Sequence, residues 1–255
     1  IDKAYAEARQ RWEPLYEVTQ MKGDAEAHPL LSPEDEFADF ETWDKGGINS
    51  VEPKTPDMLP REYARPALQR GLDYAATLGV NPFKFGLVGS TDTHTSLVST
   101  EEDNFFGKLT VFEPSSAEMR FWEVAAGRRP AQDGSDLKIY SWQTSASGLV
   151  GVWADENSRA SLWDAMKRRE VFGTSGTRMQ VRVHAGYGPD AAALERSDFP
   201  QSVIDKVVPM GGDLGPAAKS QVPGFYVQAM RDPMAANLDR VQMIKGWLDD
   251  EGMLH

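Results

Sequence analysis

The chain of 255 residues contains no cysteine. A disulfide framework, a thiolate nucleophile and a cysteine-ligated zinc site are therefore excluded. No apolar run approaches the roughly 18 residues that a membrane-spanning helix needs, so we expect no membrane insertion. The sequence also has no Walker-type phosphate loop, no nucleophile elbow and no internal repeat.

The chain has fewer basic than acidic residues. The 27 basic residues are outnumbered by 39 acidic ones, which gives a net charge of −12. This balance argues against nucleic acid and against anionic membrane surfaces as partners. The length allows one large domain or two modest ones. The cysteine-free composition is compatible with the periplasm, so we favour a periplasmic or secreted location over the cytoplasm; the oligomeric state is left open.

The most informative segment present is GSTDTHTS, residues 89–96. It follows an apolar run, residues 83–88, that predicts a buried strand. Asp92 and His94 lie two residues apart, so on extended chain their side chains point to the same side. A carboxylate and an imidazole converging at the end of a strand can share one divalent cation, such as manganese, zinc or iron. The alternative is a turn that only hydrogen-bonds to itself.

A helix precedes this strand. Residues 60–78 carry apolar side chains at helical spacing, and Gly79 follows as a C-terminal cap. A helix followed by a buried strand is the half-unit of a parallel α/β sheet or barrel. In barrels the chemistry gathers at the carboxyl ends of the strands, which is where Asp92 and His94 fall.

A second group of polar residues lies near the start of the chain. Residues 12–21 predict a strand, and a carboxylate at Glu17 is costly on a core strand unless it is paired or bound to a cation. The loop that follows carries Asp24, Glu26 and His28, three donors suited to a ligand or substrate contact. The alternative for each of them is a solvated turn.

The middle of the chain predicts an elaboration of the barrel. Residues 95–147 read as an irregular insertion, whose aromatic side chains favour a small packed lid. Residues 158–170 then predict a helix, followed by a strand and a Thr-Ser-Gly turn. Arg178 beside this turn could hold a substrate oxyanion. The alternative is a capped turn with Arg178 in solvent.

After Arg178 the pattern changes to short strands separated by glycine and proline turns. Residues 179–184, 222–230 and 238–247 alternate in polarity, which favours a β-sandwich over residues 178–255 after a barrel portion over 1–177. In this alternation His184 is predicted to be exposed. Asp213 would be a ligand only by analogy with glycine-rich metal turns.

Several long motifs resemble the bacterial domain-of-unknown-function family 3604. They run through the whole chain: YEVTQMKGDAEAHP (16–29), SPEDEFADFE (32–41), FGLVGSTDTH (85–94), GVWADENSR (151–159), VPMGGDL (208–214), RDP (231–233) and LDRVQMIKGW (238–247). That family is similar to the PHP (polymerase and histidinol phosphatase) superfamily of metal-dependent hydrolases on a distorted β/α barrel. The resemblance implies that Asp92 and His94 are metal ligands and that Glu17 and His28 are ligand or substrate positions.

One feature departs from that superfamily. PHP proteins open with a His-x-His strand, and this sequence has none. We therefore expect the chain to be the middle and C-terminal portion of a longer protein. The predicted activity is hydrolysis of a phosphoester or related ester by metal-activated water. Asp92, His94 and Glu17 would hold the metal, Glu17 and His28 would transfer protons, and Arg178 and Glu26 would contact the substrate.

The competing hypothesis is a non-catalytic protein that binds a carbohydrate or an envelope component on a degenerate barrel.

Overall fold

The structure is a computed structural model that describes residues 1–20, 23–40, 42, 44, 46, 53–96, 148–218 and 221–255, with 116, 118, 121, 123–126 and 138–140. The predicted insertion therefore lies almost wholly outside the described residues. The helices are α1 (Lys3–Trp12), α2 (Ala64–Leu78) and α3 (Arg159–Arg168). The strands are β1 (Leu15–Gln20), β2 (Gly23–Asp24), β3 (Gly86–Gly89), β4 (Glu123–Ala126), β5 (Lys138–Tyr140), β6 (Leu149–Val152), β7 (Val171–Thr174), β8 (Gln180–Tyr187), β9 (Val207–Pro209) and β10 (Pro223–Met230).

Each of the three helices is followed directly by a strand: α1 by β1, α2 by β3 and α3 by β7. Local signals fix where the helices begin and end. The Asp2 carboxylate accepts from the Tyr5 amide at the start of α1, and the Ser158 hydroxyl accepts from Ser161 at the start of α3. Gly79 ends α2 with φ of 75°, the left-handed conformation that glycine adopts without steric cost. The predicted helices and the predicted cap are confirmed.

The three strands of these units run in the same direction. β1 pairs with β3 in parallel, with Leu15 opposite Gly86 and Thr19 opposite Gly89. β7 lies beside β3 so that Gly86 faces Val171 and Gly89 faces Thr174. In both strand pairs, later residues of one strand lie beside later residues of the other, so the strands are parallel. The carboxyl ends of β1, β3 and β7 therefore meet at one edge. We call this the carboxyl edge.

The described strands do not close into a barrel. They form sheets in the orders β2-β1-β3, β10-β8-β9, β4-β5 and β6-β7. β7 approaches β3 through backbone contacts at glycines, without a shared hydrogen-bond ladder. The fold is thus mixed α/β, and the predicted barrel is not confirmed. The described residues show helix–strand units whose strands meet at the carboxyl edge.

The C-terminal part contains one antiparallel sheet, in which β8 pairs with β10 on one side and with β9 on the other. Among the described residues no second sheet faces it, so a sandwich is not formed there. The strand predicted over residues 238–247 is wrong, because this segment is irregular. Its apolar side chains Val241, Met243 and Ile244 are exposed. The alternation of apolar and polar residues therefore does not correspond to a strand with one buried face.

His184 is buried, with 1% of its surface exposed, and the prediction of an exposed histidine is wrong. Its ring lies 5.6 Å from that of Phe199 in an edge-on contact. Across the sheet it stands opposite the buried Tyr226. The reason is a small core formed by the short 3-10 helices Ala191–Glu195 and Gln201–Lys206, which cover this face of β8.

Two contacts cross the predicted domain boundary at residue 177. The Trp153 indole donates to the Val181 carbonyl at 2.9 Å, and the Arg169 guanidinium donates to the Gly211 carbonyl at 2.7 Å. The two-domain division stays a prediction.

Candidate functional site at the carboxyl edge

Asp92 and His94 lie together in the loop that leaves β3. The His94 Nε2 and Asp92 Oδ1 atoms are 4.0 Å apart, and 46% of the His94 side chain is exposed. Ligand bonds of about 2.0–2.2 Å place the donors of a tetrahedral ion about 3.4 Å apart, which a small rotation of the exposed imidazole reaches. Asp92 has a φ of 50°, an uncommon conformation that aspartate tolerates and that is frequent at functional sites. The pair is therefore compatible with one shared cation.

The described residues contain no group of three or more side chains of the metal-binding types His, Cys, Asp and Glu that could hold an ion together. Asp92 and His94 would supply two ligands, and water can fill further positions around a divalent ion. The donor set fits an open metal site and does not fit a closed structural one.

The turn after β7 adds a pocket to the same edge. It encloses about 280 Å³ and is lined by residues of β6, β7 and the turn, among them Thr174, Thr177 and Arg178. Thr174 donates its hydroxyl to the Thr177 carbonyl at 2.6 Å, which fixes the turn. The Thr177 hydroxyl oxygen is buried and has no hydrogen-bond partner in the described part of the chain. Arg178 is exposed, and its backbone amide donates to Asp232 at 2.7 Å.

His28 is buried and both of its ring nitrogens are engaged. Nδ1 accepts from the Leu30 amide at 3.1 Å, so Nε2 carries the proton and donates it to the Asp44 carboxylate at 3.0 Å. The Tyr63 ring packs edge-on against the imidazole at 5.2 Å. His28 is therefore held in one tautomer, and it can act in proton transfer only together with Asp44.

Glu26 belongs to an ion-pair network instead of an open loop. Arg65 on α2 binds the Glu26 carboxylate at 2.9 Å and that of Asp35 at 2.7 Å. A substrate contact at Glu26 would have to compete with Arg65. Glu17 on β1 is exposed, so its carboxylate carries no burial penalty and needs no cation to offset one. Asp213 pairs with Lys84.

Comparison with known proteins assigns the chain to a family. Residues 1–255 match the family model described as "Protein of unknown function (DUF3604)". The chain belongs to the DUF3604 family. No curated protein and no solved structure matches it.

The DUF3604 chain has no described helix that is both long and apolar enough to cross a membrane.

Sequence reasoning named Asp24 only as one of three donors in a polar loop, and it missed the burial that the structure gives this carboxyl. Burial raises the pKa of Asp24 to about 6, although its Oδ1 accepts from the Glu26 amide at 2.9 Å. Burial and the neighbouring carboxylates likewise raise the pKa of the Tyr16 and Tyr63 phenols. The available signal was the short Gly-Asp segment that folds back on β1, where Asp24 pairs with Thr19.

Proposed function

We propose that this DUF3604 protein is a metal-dependent hydrolase of phosphoester or related ester bonds. The observation that carries the proposal is that a donor pair and a pocket with Thr174, Thr177 and Arg178 in its otherwise mainly apolar lining follow two neighbouring strands. Asp92 and His94 follow β3, and Thr177 and Arg178 follow β7, whose Thr174 carbonyl lies against Gly89. The resemblance to the PHP superfamily expected from the sequence motifs favours the same reaction class.

In this proposal one pair of side chains binds the metal cation and another pair binds the anionic substrate. Asp92 and His94 would hold a divalent ion, which lowers the pKa of bound water and neutralises charge on the substrate oxygen. Arg178 and the unpartnered Thr177 hydroxyl would bind the phosphoryl oxygens, since a guanidinium forms strong charge-assisted hydrogen bonds to phosphate.

Of the two predicted proton-transfer groups, Glu17 lies on β1 and His28 in the loop after β2. Glu17 stands opposite Val88 in the parallel register, two residues before Ser90 begins the loop. It is exposed and so is accessible to water. His28 would accept a proton only at Nδ1, which already accepts from the Leu30 amide, so the exposed Glu17 is the general base that we propose.

The test is metal content, measured by elemental analysis after loading with Mn²⁺, Zn²⁺ or Fe²⁺ and gel filtration, together with hydrolysis of p-nitrophenyl phosphate. Asp92→Asn and His94→Gln should each lose the stoichiometric ion. The matched control is Asp249→Asn with His255→Gln, a second carboxylate–imidazole pair at 2.6 Å that the proposal does not use.

Equal metal content in Asp92→Asn and the wild type would overturn the assignment of the ligands. A protein that lacks both metal and activity after loading would favour the carbohydrate- or envelope-binding hypothesis. Arg178→Gln should keep the metal and raise KM, because it removes the guanidinium that we propose to bind the anion.

A further inference from the structure

A second cavity, of about 560 Å³, opens between α1, α2 and the amino ends of β1 and β3. It shares no lining residue with the pocket beside Arg178 or with the Asp92–His94 loop. Its volume falls in the range of small-molecule sites, about 300–1,000 Å³. Three guanidinium groups and several aromatic rings line it, and we call it the arginine cavity: Arg9, Arg61, Arg70, Tyr16, Tyr63 and Phe83.

The acidic side chains at this cavity have other partners. Glu62 pairs with Lys54 at 2.6 Å, and Asp57 accepts from the Thr55 hydroxyl at 2.5 Å. Within the described part of the chain, neither Arg61 nor Arg70 has a carboxylate within 4.0 Å. Arg9 pairs with Glu13 at 2.8 Å, outside the lining. The lining itself carries three guanidinium groups and two carboxylates, in a protein whose net charge is −12.

Arg70 is a guanidinium that the fold leaves without an anion. It is half-buried and donates to the Pro60 carbonyl at 2.5 Å, a neutral acceptor. Burial lowers the pKa of Arg70, and the nearby positive charge of Arg61 lowers it further. The Nε of Arg9 is also buried, and among the described residues it has no hydrogen-bond partner. A bound anion would relieve both the repulsion and the missing bond.

The rings give the cavity an apolar, flat wall. Arg9 lies over the face of Phe83 at 4.9 Å and Arg70 at 5.9 Å, so the cations gather around one ring. Tyr16 and Phe85 continue this wall, with ring centroids 5.1 Å apart. Such a surface binds planar apolar groups, and the guanidinium groups bind carboxylate or phosphoryl oxygens.

We propose that the arginine cavity binds a small organic anion with a flat apolar body. Its charged end, a carboxylate or a phosphoryl group, meets Arg61 and Arg70, and its body lies against the rings of Tyr16 and Phe85. This site is independent of the metal-dependent activity at the carboxyl edge.

The test is calorimetric titration of the chain with benzoate and phenylphosphonate, in the presence of EDTA. Arg61→Gln and Arg70→Gln should each weaken binding about tenfold or more, since each removes a charge-assisted bond. Arg61 is exposed, so its replacement leaves folding intact. Arg196→Gln is the matched control, because this exposed guanidinium bonds to Asp198 and lines neither cavity.

The proposal is overturned if neither probe binds saturably, or if both arginine variants bind as tightly as the wild type. Benzamide binding as tightly as benzoate would remove the role of charge, and inorganic phosphate binding as tightly as phenylphosphonate would remove the role of the flat body. Preference for one probe assigns the charged end to a carboxylate or to a phosphoryl group. Unchanged affinity in Asp92→Asn separates this site from the carboxyl edge.

Discussion

Replacing Gly89 with alanine should loosen the carboxyl edge, because the backbones of β3, β6 and β7 meet there without room for a side chain. A methyl group on Gly89 would lie 2.8 Å from the Leu149 carbonyl oxygen, 2.8 Å from that of Thr174 and 2.9 Å from the Thr19 methyl. Carbon–oxygen contacts normally begin near 3.3 Å, so the strands must separate by about 0.5 Å. Both oxygens belong to the backbone and cannot rotate away.

Overpacking of this kind lowers the free energy of unfolding by about 1–3 kcal/mol. For a chain of this size the melting temperature should fall by about 2–12 °C. Urea unfolding and differential scanning fluorimetry measure both quantities. Gly215→Ala is the control, since nothing lies within 4 Å of its added methyl, and it should change stability by less than about 0.5 kcal/mol. Equal midpoints for the two variants would refute the packing of β3 against β7.

Two further predictions concern buried titratable groups. Burial lowers the pKa of His184, so wild-type stability is complete above pH ~6.5 and falls as the imidazole is protonated below it. His184→Leu removes two buried nitrogens that have no partners among the described residues. It should stabilise the protein by about 1 kcal/mol at pH 7.5 and by more at pH 5. Equal urea midpoints for the variant and the wild type at both pH values would contradict this. Burial raises the pKa of Asp24 to about 6, so its ionisation costs stability as the pH rises through 6. Asp24→Asn should be more stable than the wild type by about 1–2 kcal/mol at pH 7.5, a gain that shrinks towards pH 4 in the same assay.

Local signals in the sequence predicted the helix–strand units well. The capping residue Ser158 and the left-handed Gly79 are recognisable from sequence because they act within one or two turns of the chain. The order α2 then β3 predicted that Asp92 follows a strand end. The parallel pairing of β1 with β3 follows from the same helix–strand logic.

Contacts between distant segments were beyond sequence reasoning. Arg65 bonds to Glu26, which is 39 residues away in the chain, and to Asp35, which is 30 residues away. The residues around Glu26 give no local signal that predicts this partner. His184 looked exposed because its strand alternates in polarity. Its burial depends on the helical turns around Val203, whose position is set by tertiary packing. The apolar residues near Val241 alternate as a strand does and stay exposed for the same reason.

The two proposed sites lie at opposite ends of the same strands and carry opposite charge. Asp24 and Asp92 lie near the carboxyl ends of β1 and β3. Guanidinium groups gather before the amino ends, around Phe83. β3 spans about 13 Å at roughly 3.3 Å per residue, which exceeds the screening length of about 8 Å at physiological salt. The ends should therefore respond separately: Arg61→Gln should keep the metal affinity of the wild type, and Asp92→Asn its benzoate affinity. A change in metal affinity in Arg61→Gln would mean that the two ends are coupled through the strands.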